Sequence, residues 1–320
     1  MRLLSAPVFC LAIAAFVASP HGESVAQSTE GGTDQSCRFE RVIDLRTGTP
    51  STIQRLLGEA RQTQLVFVGE RHGTAEHVEL ARCILEQKGQ GRPPVLAMEH
   101  VPANFQSNLD EWRRTSLSDP DSFAERVGWG DLGWADFAVY RPLIETAGAV
   151  RAHIVGTDRP AFGAIGSLSA DALLEVAPTY GLQTEDIIPL LVPDIINARC
   201  ETVDEQMARR IALDQMERER IMAGRLIAGR GRGSSTLYIG ARAHVRADAA
   251  IPYLLERTDR PPTMLRIAAY TADEWSTLTG GQGLTGLGLE GRFDVVVIAG
   301  QSDVSEADRC DQMREAMGLN

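Results

Sequence analysis

QLVFVGERHG, residues 64–73, carries the reading of the fold. Leu65–Val68 is an apolar run rich in β-branched and aromatic residues, the composition of a buried strand. Gly69 and Gly73 let the backbone turn tightly and leave room for a ligand. A helix is expected over 74–88, containing HVELARCILEQ and ended by Gly89, Gly91, Pro93 and Pro94. Working outward, further strands are expected at 95–99 (VLAME), 153–157 (HIVGT), 236–240 (TLYIG), 263–269 (TMLRIAA) and 293–299 (FDVVVIA). Helices are expected over 103–115, 137–150 and 304–317, with a glycine-rich loop around Trp129 and Trp134 between the first two. This alternation predicts an α/β fold, with a central, mostly parallel sheet flanked by helices. Residues 161–230 break the rhythm. Short helical pieces separated by Gly and Pro fill 161–200, and a long amphipathic helix runs over 202–228, with Val203, Met207, Ile211, Ile221 and Leu226 apolar. The segment reads as a helical insertion, a cap over the C-terminal edge of the strands, and GRGRGSS (229–235) as its connector.

The chain has 320 residues, 43% hydrophobic and 23% charged, which suffices for a globular core and excludes disorder over most of its length. Acidic residues outnumber basic ones 43 to 32, for a net charge of −11. That argues against nucleic acid and anionic membranes as partners. At the N-terminus, Arg2 precedes the apolar stretch LLSAPVFCLAIAAFVA, which is short for a bilayer span and is followed by the small-residue site Ser24-Val25-Ala26. Residues 1–26 read as a secretory signal peptide. Val8-Phe9 before Cys10 lacks the small residues of a lipoprotein box. The expectation is a free periplasmic or secreted protein with no transmembrane segment after cleavage. Residues 27–36 are a polar linker, and 37–320 the folded domain.

Four cysteines remain, Cys37, Cys83, Cys200 and Cys310. In an oxidising compartment they permit two disulfides in three connectivities. Cys83 falls with Glu76, Glu79 and Gln87 on the polar side of its helix, where a free thiol would be reactive. The expected pairs are Cys37 with Cys83 and Cys200 with Cys310; the alternative is four free, mostly buried thiols.

GQGLTG, with Gly281, Gly283 and Gly286, matches a dinucleotide fingerprint by letter but lacks the strand before it and the helix after it, so it reads as a mobile loop. The informative positions lie just beyond strand ends, where α/β proteins collect their ligands. Gly69-Glu70-Arg71-His72 places a carboxylate and an imidazole two residues apart, able to hold a metal or act as acid and base. The structural alternative is a helix N-terminus with Glu70 favoured by the dipole. Met98-Glu99-His100 ends the next strand; Glu99 is a candidate, with a structural arginine pair as alternative, while His100 reads as solvent-facing or locally packed. Gly240-Ala241-Arg242-Ala243-His244 supplies a second histidine. Arg141 could clamp an anion, a surface ion pair being the alternative. Asp158 follows another strand, and Arg218 and Glu219 lie on the long helix, facing the crevice or solvent. His77 reads as helix surface and His153 as a strand start.

As an ordered set, GERH (69–72), VLAMEH (95–100), YRPLIE (140–145), Arg218-Glu219 with Met222-Ala223, and Gly240 to His244 followed by Val245-Arg246 resemble the ChaN-type haem-binding uptake proteins of the Tiki superfamily, over about residues 60–300. That superfamily also holds the TraB/Tiki proteins and the erythromycin esterases. The resemblance implies a site of Glu70, His72, Glu99 and His244, with Arg218 beside them. It also implies haem binding, with His72, His244 and Arg141 as cofactor contacts. Haem iron needs an axial His, Tyr, Met or Cys and an apolar slot. The alternative implied by other relatives is hydrolysis of a peptide or small-molecule ester. There Glu70 or His72 would activate water, directly or on a divalent metal held by His72, Glu99 and His244, with Arg218 meeting the developing oxyanion. A third reading is a non-catalytic envelope module. Iron acquisition and a possible homodimer complete the expectations.

Overall fold

The computed structural model describes residues 37–159, 184–280, 287–301, 306–316 and 318. The expected signal peptide (1–26) and linker (27–36), the first part of the expected insertion (161–183) and the GQGLTG stretch (281–286) lie outside the described residues.

Eight strands form one sheet: β1 (Arg41–Asp44), β2 (Thr49–Ser51), β3 (Leu65–Glu70), β4 (Val95–Pro102), β5 (His153–Asp158), β6 (Thr236–Ala241), β7 (Met264–Tyr270) and β8 (Val295–Ile298). Their order is β2-β1-β8-β7-β3-β6-β4-β5. The run from β8 to β5 is parallel throughout, and β1 pairs antiparallel with β8 and β2. The described α-helices are α1 (Ile53–Gln62), α2 (Ala75–Lys88), α3 (Gln106–Thr115), α4 (Pro120–Val127), α5 (Phe137–Ala149), α6 (Thr184–Ala198), α7 (Glu205–Gly229), α8 (Ile251–Glu256), α9 (Ala272–Thr279) and α10 (Glu306–Ala316). None of them is long and apolar enough to cross a membrane.

The expected architecture is present, and its cause is visible in β3. Successive side chains alternate across a strand, so Leu65 and Phe67 join one buried cluster while Val66 and Val68 join the other. Helices α1 to α5 cover the second face, through residues such as Leu80, Ile84, Trp112, Leu143 and Ile144. Helices α6, α7 and α8 cover the first, through Leu191, Ala212, Met222 and Leu254. Two buried layers, one on each face of the eight-stranded sheet, make it a rigid platform for its rim.

Three expectations change. The described part of 161–200 is one 15-residue helix, α6, in place of short pieces. Pro189 and Pro193 lie inside it on the exposed side, while Ile187, Ile188, Leu191, Val192 and Ile195 are buried against α7. Burial of five large side chains, roughly 1.5–3 kcal/mol each, outweighs two lost backbone bonds. The long helix starts later, at Glu205, because Asp204 caps it by accepting the Met207 N–H at 2.7 Å. His77 is fully buried instead of surface-facing, with Nδ1 accepting the Arg71 N–H at 3.0 Å. Burial, helped by the charge of Arg242, pushes its proton affinity down to about 4, so it is neutral.

Both expected disulfides are formed, Cys37–Cys83 tying the N-terminal segment to α2 and Cys200–Cys310 tying the end of α6 to α10.

Candidate functional site

The parallel strands end at one rim, and Glu70 closes β3, Asp158 closes β5 and Ala241 closes β6. Gly69 and Gly240 sit side by side in register on β3 and β6. A Cβ at Gly69 would lie 2.5 Å from Val245 Cγ2, and one at Gly240 would lie 2.6 Å from Glu99 Oε2. The two glycines therefore open the space into which the turn at Arg242–Val245 folds back and the Glu99 carboxylate fits. That is why both short motifs begin with glycine.

Two hydrogen-bonded groups fill the rim. In the first, Glu70 Oε1 accepts the Tyr140 hydroxyl at 2.9 Å and lies 2.8 Å from both His72 Nδ1 and His100 Nε2. Rings wall in this group. His100 lies 4.5 Å from Tyr140, 4.9 Å from Trp134 and 5.9 Å from Trp129, centroid to centroid. Trp134 donates its indole N–H to the His100 carbonyl at 2.9 Å. Burial pushes the Glu70 carboxyl up, but His100 and His72 outweigh it and hold it at about 2. Burial also lowers the proton affinity of His72, and the Glu99 and Glu70 carboxylates more than restore it. With Glu70 on Nδ1, His72 Nε2 is the nitrogen left to carry a proton or meet an ion; it is 3.8 Å from Glu99 Oε2. Glu70 Oε2 and His100 Nδ1 are buried without a hydrogen-bond partner among the described residues.

In the second group, Glu99 Oε2 accepts the Ala241 N–H at 2.7 Å, while Oε1 accepts from Arg218 Nη2 at 3.0 Å and lies 3.1 Å from His244 Nε2. His244 Nδ1 meets Glu219 Oε1 at 2.5 Å. Arg218 also clamps Asp158, through Nε at 3.1 Å and Nη2 at 2.6 Å. Burial lowers the proton affinity of His244, but Glu219 and Glu99 lift it to about 10. Glu219 moves the opposite way to Glu99: burial raises its carboxyl despite His244, whereas Glu99 is held well below its ordinary range. With two carboxylates flanking one ring, the imidazolium is the favoured state.

The structure thus brings together Glu70, His72, Glu99, His244 and Arg218. It does not bring Arg141, which pairs with Asp121 on the surface and lies over the Phe137 ring. His100, read as solvent-facing or locally packed, belongs to the first group. The pairing of β4 with β5 shifts register between Met98 and Pro102, so simple alternation fails there and both Glu99 and His100 serve the rim. Glu219, read with Arg218 as facing the crevice or solvent, faces the crevice, and Tyr140, read only as part of YRPLIE, joins the first group. Among the described residues, Glu70, His72 and His100 bring ligand atoms within 4.8 Å of one another, as do Cys37, Glu79 and Cys83, whose two cysteines are bonded to each other.

A cavity of about 670 Å³ opens beside these groups. Glu70, Arg218 and His244 line it, with Leu191, Ile195 and Ile211 from the cap helices. Its wall also carries Tyr270, Leu278 and Phe293, and five arginines. Volume and lining are those of a small-molecule site. Of the residue types that ligate haem iron, the described lining holds His244 and Tyr270. Both nitrogens of His244 are engaged by carboxylates. Tyr270 Oη makes no hydrogen bond among the described residues, and Arg242 Cζ sits 4.3 Å from its ring centroid. Among the described lining residues, Tyr270 is thus the one of these two whose donor atom is not held by a hydrogen bond or ion pair.

The family described as haem-binding uptake, Tiki superfamily, ChaN matches residues 56–255. Among solved structures, one titled as cofacial heme binding to ChaN of Campylobacter jejuni is similar at a TM-score of 0.60 and 16% identity, covering 81% of this chain and 96% of that one. A succinoglycan biosynthesis protein is similar at 0.47 and 14%, covering 78% and 90%. A mutant of the erythromycin esterase EreC in its open conformation is similar at 0.46 and 12%, covering 81% and 97%. No curated protein matches the chain. At 16% identity the likeness to the Campylobacter jejuni structure is one of fold.

Proposed function

The chain belongs to the ChaN haem-binding uptake family of the Tiki superfamily, and from that premise we propose that it binds haem in the cavity at the strand ends, with Tyr270 as the iron donor. One observation carries the reading: a cavity of about 670 Å³ with apolar walls, arginines and an uncommitted phenol at the rim of the sheet. Haem supplies an iron that takes an anionic oxygen ligand and two carboxylates that need cations. Burial raises the proton affinity of the Tyr270 phenol, and the charge of Arg242 beside it opposes that push only in part. The two disulfides support an oxidising, extracytoplasmic location. With that location, haem binding serves iron acquisition at the envelope.

Haemin titration of the purified chain tests this. Saturable binding with a shifted Soret band is expected, and Tyr270→Phe should weaken it about a hundredfold, ~3 kcal/mol, with a changed spectrum. Absence of any Soret shift would remove the proposal, and an unchanged Tyr270→Phe would remove the tyrosine.

A second reading, hydrolysis, is favoured by one observation. Glu70 lines the cavity, with His72 on its other oxygen and Oε2 buried and unpartnered. Glu70 and His72 could orient and deprotonate a water there, and with His100 they are the residues that would hold a divalent ion. Ester or peptide turnover that falls by at least about a hundredfold in Glu70→Gln, as general-base catalysis is worth, supports it. Turnover unaffected by that change removes it.

A further inference from the structure

A ligand with two carboxylates needs cations that are not already spent. Four of the five arginines lining the cavity are spent on this chain's own acids. Arg218 holds Asp158 and Glu99, and Arg242 holds Glu274. Arg246 pairs with Asp248 and Asp194, and Arg292 shares those same two acids. Arg199 is different. Its guanidinium makes no hydrogen bond or ion pair among the described residues, and the residue is half-buried in the cavity wall.

Its backbone is fixed with unusual care. Arg199 directly follows Ala198, the last residue of α6, and the chain then closes in a Schellman arrangement. The Glu201 N–H reaches the Ile196 carbonyl at 3.0 Å, and the Cys200 N–H reaches the Asn197 carbonyl at 2.9 Å. Cys200 takes the left-handed position with φ +53°, where glycine is usual, and Glu201 follows at φ +58°. Cysteine there has a use glycine lacks, since it bonds to Cys310 on α10. Arg309 and Arg314 of α10 donate to the Ala198 and Cys200 carbonyls on either side of Arg199. The last turn of α6 is thus tied down around a cation that has no ion pair among the described residues.

Resting on the haem reading, we infer that Arg199 recognises a carboxylate of the cavity's ligand, and that the Cys200–Cys310 disulfide holds it in position. An arginine at a helix C-terminus also interacts favourably with the dipole, and that role needs no ligand, so the test must separate the two.

The full chain, with both disulfides formed, is titrated with haemin and with haemin dimethyl ester in the same detergent. Wild type should prefer haemin about tenfold, the worth of one part-exposed charge-assisted bond. Arg199→Gln should erase the preference by weakening haemin alone, and Arg199→Lys should keep part of it. The double variant Cys200→Ala with Cys310→Ala should also lose it while keeping its circular-dichroism spectrum; Arg199→Gln decides the matter if that variant does not fold. A preference unchanged in Arg199→Gln overturns the inference and leaves haem binding standing, with Arg199 serving as a helix cap. Equal binding of both porphyrins by wild type does the same. Binding of neither removes the haem reading and this inference with it.

Discussion

Arg218→Met should destabilise the fold by about 3–5 kcal/mol, the cost of leaving a buried charge without its partner. Arg218 is the shared cation of Glu99 and Asp158, both 2% exposed. Methionine keeps much of the aliphatic stem and removes the guanidinium, so the loss is electrostatic, with little change in packing. It has a signature. Without Arg218 the Glu99 carboxyl binds a proton more readily in the folded chain than it does in wild type. The destabilisation should therefore shrink as pH falls through the carboxylate range, the reverse of ordinary acid unfolding. Urea unfolding of wild type and variant at pH 7.5 and at about pH 4.5, near the unfolded carboxylate values, measures it. A loss below about 1 kcal/mol, the worth of a surface pair, would mean that the rim is solvated and the buried network is not as described.

His244 gives the second large effect. Its folded proton affinity is raised from 6.5 to about 10 by Glu219 and Glu99 against the cost of burial. A raised folded value contributes stability that is fully present below about 6.5 and is lost as pH rises through about 10. At about 1.4 kcal/mol for each tenfold change in proton affinity, the contribution is on the order of 5 kcal/mol at its fullest. Lys88 works the other way: burial lowers its ammonium to about 8, so its cost is relieved as pH rises above that value. The difference in unfolding free energy between wild type and His244→Gln cancels Lys88. That difference should decline steadily from pH 6.5 to pH 10.5. A flat difference would place His244 as a neutral ring in both states.

Much of the site was legible because strand ends are legible. Glu70, Glu99 and His244 each follow an apolar run of strand length, and parallel strands share one rim. Glycine at the start of the Glu70 and His244 motifs marked a close approach, and the Cβ positions at Gly69 and Gly240 show what fills it. Single-residue alternation misled at His100, because the register shift after Met98 is a property of the β4–β5 pairing and leaves no trace in VLAMEH. Helical periodicity misled at His77, where a polar residue in the first turn of α2 is buried by the Arg71 loop it supports. Arg218 and Glu219, about 100° apart around a helix, cannot both face a flat partner, and they meet the rim together because α7 packs along β4 and β5. Tyr270 was hidden as the residue just beyond the apolar run TMLRIAA. The ribbon of β1 and β2 was missed because RVID and TPS are too short to show a period.

The reading rests on where the ligand sits. Iron anomalous scattering from crystals of the chain grown with haemin locates it directly. The account predicts one iron position inside the cavity, at bonding distance from Tyr270 Oη, with a propionate turned toward Arg199. An iron bound to a surface residue outside that cavity, with Tyr270 untouched, would contradict it.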